Sequence, residues 1–342
     1  VNAPIIDGTG AGFTKCGFQI RCAGDVVIEG FEIRNFEYEG LDNYSSSSNV
    51  TFRYNYIHDV NSSEYARGGA FAHKASAWEV THNRIENAKY GITIGEDVTD
   101  CVFDRNKIRD ISDDGIHLQV QNVTSTPLTA SGVTISNNEI TSVGGKGIYI
   151  LAYPNSGAVT IEDISISGNT VTTNGDNAIL LWEYGSGIRE LKDIRIANNT
   201  LETTNNGDQP VIFIPEKIEN IAITGNDITP KYGSGDAAYA VSNLHRVHGT
   251  GIFSSNTVKV IGQGNGIMFW FRRTATADWI IDNNIFIGPG SGTAIDMWNS
   301  SGGAKLTLSM TGNTVTGWNN GALLEGMISP ATLRSNRIHG NN

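Results

Sequence analysis

Ten side chains between residues 67 and 149 carry chemistry in closely spaced groups. They are Arg67, His73 and Lys74, then Glu96 and Asp97, then Asp113, Asp114 and His117, then Lys146 and Tyr149. An elimination beside a carboxylate needs a base for the carbon-bound proton, a cation for the resulting enolate and an acid for the leaving oxygen. Lys74 or His117 suits the base, Arg67 or a bound Ca²⁺ the cation, and Tyr149 the acid, with His73 in the same group. Glu96, Asp97 and Asp113 offer the hard oxygens that Ca²⁺ takes; the same aspartates also suit turn caps. Asp113-Asp114 offers a second chemistry, hydrolysis by two carboxylates, with Glu96 or Glu183 as the partner of Asp114.

A repeat positions these groups. Asn followed one residue later by an apolar residue recurs at Asn55, Asn83, Asn106, Asn138, Asn169, Asn199, Asn226, Asn256, Asn284, Asn313 and Asn336, ten intervals over 281 residues. Each phrase follows an alternating strand such as Val133-Thr134-Ile135. About ten residues later comes a small-apolar-x-apolar phrase, as in Gly115-Ile116-His117-Leu118 and Gly147-Ile148-Tyr149-Ile150. A unit of ~28 residues with three short period-2 strands cannot bury its own face, but a stack of such units can. The expected fold is all-β: one parallel β-helix of about twelve rungs over residues 1–342. Asn at the corners is expected to take the left-handed conformation. Leucine-rich spacing and the Trp-Asp signature of propellers are both missing.

Composition narrows the partners. Apolar residues are 39% and charged residues 17%, below the usual ~45–50% and ~25%, while Gly (40) and Asn (34) fill the difference. That usage excludes a coiled coil. A net charge of −11 and the lack of a basic stripe argue against nucleic acid. The longest apolar run, Ile267 to Phe271, is far short of the ~20 residues of a membrane helix. Cys16, Cys22 and Cys101 fit no zinc motif; Cys16 and Cys22 are either a short bridge or small apolar fillers. No organic cofactor motif is present. The start at Val1 without a leader suggests missing upstream residues, including a native N-terminal cap.

Equivalent positions on stacked rungs lie ~4.8 Å apart, so the second phrase maps one outward face. It carries Asp42 and Tyr44, Phe71 and His73, Thr93, His117 and Gln119, then Tyr149, Leu180 and Trp182, Phe213, Met268 and Trp270, Asp296 and Trp298. Trp182, Trp270 and Trp298 share one slot, an arrangement that suits stacking on sugar rings; a satellite core or an oligomer interface are the alternatives. Leu180, Phe213 and Met268 would form the apolar patch of a homo-oligomer. Asp42, Tyr44, Glu183 and Arg272 complete the expected substrate contacts. Long inserts follow the same strand, among them Tyr153 to Val159 and Glu183 to Lys192, and loops along one face of a solenoid wall a groove.

From Ile6-Asp7-Gly8-Thr9-Gly10 to Asn336-Arg337-Ile338, the pattern resembles the right-handed parallel β-helix superfamily of pectate lyases, polygalacturonases, alginate lyases and epimerases, and phage tailspikes. The resemblance implies a right-handed coil, a polysaccharide partner and an extracellular or periplasmic setting. The first expectation is a lyase acting on a uronic-acid glycan by β-elimination. A glycoside hydrolase built around Asp113 and Asp114, and a non-catalytic glycan binder or tail or adhesin shaft, are the alternatives. The polygalacturonase pattern fails in Ala88-Lys89-Tyr90-Gly91 and Gly145-Lys146-Gly147, which lack its Asn-x-Asp and Gly-His-Gly. No Asp-Pro-His run of the alginate epimerases occurs.

Overall fold

Each ladder asparagine is sealed inside the protein. The backbone N–H of Asn106 donates to Asn138 Oδ1 at 2.9 Å. Its side-chain Nδ2 donates to the same oxygen at 3.1 Å and to the Val80 carbonyl at 2.8 Å. Asn55, Asn83 and Asn138 repeat the pattern, and all four are at most 2% exposed. This corrects the expectation for the corners. The left-handed residue is the one before each asparagine: Tyr54, His82, Arg105 and Asn137 have φ between 52° and 56°. The turn is made one position earlier, which points the amide inward to satisfy backbone groups that the turn frees.

The computed structural model describes residues 3–10, 15–22, 24–43, 45–60, 67–122, 126–174, 176–204, 209–214, 217–231, 239–242, 246–271, 276–299, 305–325 and 331–340. Contacts divide the chain into two units, residues 1–172 with 183–189, and residues 173–182 with 190–342.

In the first unit three parallel sheets share the coil. One contains Glu32–Phe36, Tyr56–Val60, Arg84–Ala88, Lys107–Ile111 and Glu139–Val143. The second, which carries the candidate site, runs through Cys16–Ile20, Glu39–Asn43, Gly68–Ala72, Ile92–Ile94, Ile116–Asn122 and Ile148–Pro154. The third includes Ser47–Arg53, Glu79–Thr81, Val102–Asp104 and Thr134–Ser136. Ile57, Ile85, Ile92, Ile116, Ile148, Val80 and Phe103 are fully buried between them.

The second unit repeats the scheme. Its strands Lys217–Thr224, Arg246–Ser254 and Thr276–Asp282 pair in parallel, as do Asn265–Phe271 and Thr293–Asn299. Its own asparagines, Asn199 to Asn336, form a ladder of the same kind. The second sheet has six strands in each unit, in keeping with about twelve rungs. Cys16, Cys22 and Cys101 are all free thiols, and only Cys101 is buried. Among the described residues no helix is long and apolar enough to cross a membrane.

Candidate active site

Glycines open the strands of the second sheet because nothing larger fits. A Cβ on Gly115 would stand 2.6 Å from the Gly147 carbonyl oxygen and 2.6 Å from Ile140 Cγ2. Gly91 N–H donates to the Asp114 carbonyl and Gly115 N–H to the Lys146 carbonyl, so Tyr90, Asp114 and Lys146 stack in one turn column. Three residues further on, register aligns Asp42, Phe71, Thr93, His117 and Tyr149. The five residues expected in one column are therefore in register from Asp42 to Tyr149, although Asp42, Phe71 and His117 are buried rather than open to solvent.

The two columns meet at His117. Its Nδ1 lies 3.0 Å from Asp114 Oδ2, and the other carboxylate oxygen accepts the Lys146 backbone N–H at 2.8 Å. Asp114 is 3% and His117 8% exposed. A carboxylate on Nδ1 holds the proton there and leaves Nε2 as the lone-pair nitrogen. His117 Nε2 is buried and has no hydrogen-bond partner among the described residues. The ring sits between two tyrosines, Tyr149 at 4.8 Å and Tyr90 at 5.4 Å between centroids. Lys146 Nζ stands 5.4 Å from the Tyr149 ring centre and Lys89 Nζ 5.5 Å from that of Tyr90. Burial and the Asp113 carboxylate, which accepts the Tyr90 hydroxyl, hold the Tyr90 phenol well above its usual range.

Other expected residues belong to neighbouring rungs. Arg67 is exposed, its guanidinium 4.3 Å from the Phe71 ring centre, and its carbonyl accepts Thr93 Oγ1 at 2.7 Å. Phe71 stacks on His73. His73 Nδ1 is 3.3 Å from Glu96 Oε2, a charge contact without hydrogen-bond alignment. Burial is the largest influence on the Glu96 carboxyl and pushes it up, but the His73 ring, the residue's own backbone N–H and the Lys74 charge together leave it below its usual range. Phe71 and His117 are two rungs apart, ~9.5 Å.

Lys74 and Asp97 are exposed corner residues with φ of 49° and 54°. They line a shallow polar cavity with Ser46, Ser47, Ser48 and Ser76, apart from the His117 column. Asp113 pairs with Tyr90 and Asp97 Oδ1 accepts Thr129 N–H at 3.4 Å. Glu96, Asp97 and Asp113 thus have separate partners. Among the described residues no three His, Cys, Asp or Glu side chains converge as metal ligands.

Asp42 is buried and accepts Gln19 Nε2 at 2.8 Å. Tyr44 and Arg272 lie outside the described residues, as does the side chain of Trp270, whose backbone pairs with Trp298. Trp298 is 45% exposed. Trp182 is half-buried with its ring 5.9 Å from that of Phe213. Leu180, expected to face out, is only 5% exposed. Glu183 is also buried, its carboxylate 3.3 Å from Arg189 Nε.

Two site groups escaped the sequence reading. Tyr90 sits in the turn column, outside the period-2 strand on which the outward face was mapped. Glu39, equivalent to Tyr90 on an earlier rung, is 6% exposed. Burial and then the nearby Asp42 charge push its carboxyl up to about 8. A carboxylate three residues before an outward column residue recurs in Glu39/Asp42 and Asp114/His117, and that spacing was the available signal.

The model of the right-handed β-helix region matches residues 3–155. Together with the three parallel sheets, this match goes with a right-handed parallel β-helix fold. No curated protein matches it. Among solved structures, it is similar to DFA-IIIase from Arthrobacter chlorophenolicus A6 in complex with GF2, at 11% identity over 90% of this chain and 69% of that one, TM-score 0.47. It is also similar to the periplasmic alginate epimerase AlgG, at 13% identity over 92% and 76%, TM-score 0.47. The A-module of the Azotobacter vinelandii mannuronan C-5 epimerase AlgE6 shares 12% identity over 78% of each chain, TM-score 0.45.

Proposed function

We propose that the protein cleaves a uronic-acid-containing polysaccharide by β-elimination, outside the cytoplasm. The observation that carries this reading is the buried Asp114–His117 pair with Nε2 unpartnered between two tyrosines. His117 Nε2 takes the C5 proton and Asp114 stabilises the imidazolium that forms. The electron pair passes through the enolate to C4, the C4–O bond breaks, and Tyr149 protonates the leaving oxygen. Lys146 and Arg67 supply positive charge for the substrate carboxylate in an otherwise acidic protein. This scheme assigns no step to Lys74, which lines the serine-rich cavity with Asp97. Ca²⁺ held by Glu96, Asp97 or Asp113 has no converging ligand set to support it, so no step runs through it.

One observation favours a second reading, glycoside hydrolysis. Glu39 stays protonated to about pH 8 beside Asp42, the division of roles a general acid and its carboxylate partner need. Asp114 is a poorer nucleophile, because both its oxygens are engaged.

Galacturonan, mannuronan, guluronan and glucuronan, with neutral glucans and fructans beside them, separate the readings when followed by ultraviolet absorbance and reducing-end release together. A rise in absorbance with one uronan is expected. Reducing ends without absorbance, lost in Glu39→Gln, would move the activity to the carboxylate pair. Retention on a glycan with neither signal would make the protein a binder.

A further inference from the structure

We infer that residues 183–189 are a docked strap whose Tyr184, with Tyr153, forms an aromatic subsite for a sugar ring remote from the bond that breaks. This rests on the carbohydrate reading above and adds the residues that grip the chain.

The strap is fixed at both ends. Glu183 is 6% exposed and pairs with Arg189, whose Nη1 also donates to the Gly185 carbonyl at 2.6 Å. Tyr184 N–H donates to the Ala152 carbonyl at 2.9 Å, Gly187 N–H to that of Pro154 at 3.2 Å, and Ser186 Oγ to that of Asn155 at 3.1 Å. Gly185 takes φ 111° where a Cβ would lie 2.2 Å from the Pro154 oxygen. These contacts explain why 183–189 groups with the first unit while the residues on either side group with the second. Glu183 is therefore a positioning residue rather than the substrate contact expected of it.

What the strap displays is Tyr184. It is 60% exposed, and its ring lies 5.1 Å from that of Tyr153 at 58°. Backbone anchoring of so exposed an aromatic removes most of the ordering cost of using it as a contact. Tyr153 shares a strand and a face with Tyr149, four residues away, ~13 Å along the strand. The register partner of Tyr153 is Gln121, and that of Tyr149 is His117. Gln119 fills the position between, in hydrogen-bond contact at 3.4 Å with Gln121 beside Tyr153. A strip with a base and acid at one end, amides along it and a pair of phenols at the other suits a hydroxyl-rich oligomer. Its C–H faces stack on the rings while its hydroxyls meet the amides. The strip is longer than one sugar ring, so the subsite selects for chain length.

The test is calorimetric titration of the full chain carrying His117→Ala, which prevents turnover, with galacturonate, mannuronate, guluronate and glucuronate oligomers of two and six units. Adding Tyr184→Ala is expected to weaken binding of the six-unit oligomer about 3- to 10-fold and leave the two-unit oligomer unaffected. Tyr184→Phe should retain the affinity, and Arg189→Met should copy Tyr184→Ala while lowering the thermal midpoint, because it leaves the buried Glu183 without its partner. Equal affinity for the six-unit oligomer with and without Tyr184, or equal losses for both lengths, overturns the subsite and leaves the uronan reading standing. No binding by any oligomer when Tyr184 is present overturns the uronan reading and the subsite with it.

Discussion

His117 Nδ1 and Asp114 Oδ2 stand 3.0 Å apart on residues three apart in sequence, one in a strand and one in the turn before it. The turn glycine between them, Gly115, has no room for a side chain against the Gly147 carbonyl and Ile140, so the backbone that joins the pair is packed closely on its neighbours. Asp114 also accepts the Lys146 backbone N–H and thereby ties the ionisable pair to the next rung.

Asp114→Asn keeps an acceptor for Lys146 but loses the charge that orients His117. Turnover is expected to fall ~10²–10⁴-fold, with circular dichroism unchanged. Asp114→Ala removes both contacts and should in addition lower stability by ~1–3 kcal/mol, read by urea denaturation. Equal turnover in Asp114→Asn and the natural protein would contradict the orienting role.

Tyr149→Phe removes the proton donor while leaving the ring packed on His117. Turnover should drop ~10²-fold or more with KM nearly constant, since the hydroxyl acts on the leaving oxygen in the transition state. A raised KM at unchanged kcat would make Tyr149 a binding group.

Glu39 gives a pH dependence of known sign. Its folded pKa, about 8, lies above the ordinary 4.5, so the folded state prefers it protonated. Its contribution is complete below about pH 4.5 and is lost as pH rises through about 8, by ~4–5 kcal/mol in all. Glu39→Gln should flatten this slope and be more stable than the natural protein at pH 8.5. Parallel stability profiles between pH 4 and 8.5 would contradict the buried, protonated carboxyl.

The ladder should be costly to interrupt. Asn138 exchanges hydrogen bonds with the rungs on both sides and is 1% exposed. Asn138→Ala leaves backbone groups unsatisfied and should lower stability by ~2–4 kcal/mol, measured by urea denaturation. A loss below about 1 kcal/mol would mean that water replaces the amide.

The coil was legible because the Asn-x-apolar phrase and the small-apolar-x-apolar phrase are both tied to stacking, and a one-residue slip would expose the core. That regularity also placed Asp42, Phe71, Thr93, His117 and Tyr149 in one column. Residues in the turns were not legible, since no period governs them. The contact of Asp114 with His117, the place of Tyr90 and the burial of Glu39 all depend on the turn before each strand. Spacing also misread the asparagines as left-handed corners, because the amide of one rung is satisfied by the backbone of another. The burial of Glu183 against Arg189 was not legible either, because Arg189 lies in an insert outside the repeat.

The most direct measurement is the ultraviolet time course of the natural protein and His117→Ala side by side on the four uronans, with Ca²⁺ and with EDTA. The account predicts absorbance rising with one uronan in the natural protein, persisting in EDTA, and reduced by a large factor in His117→Ala, whose fold is intact. Elimination at the full rate in His117→Ala would contradict it.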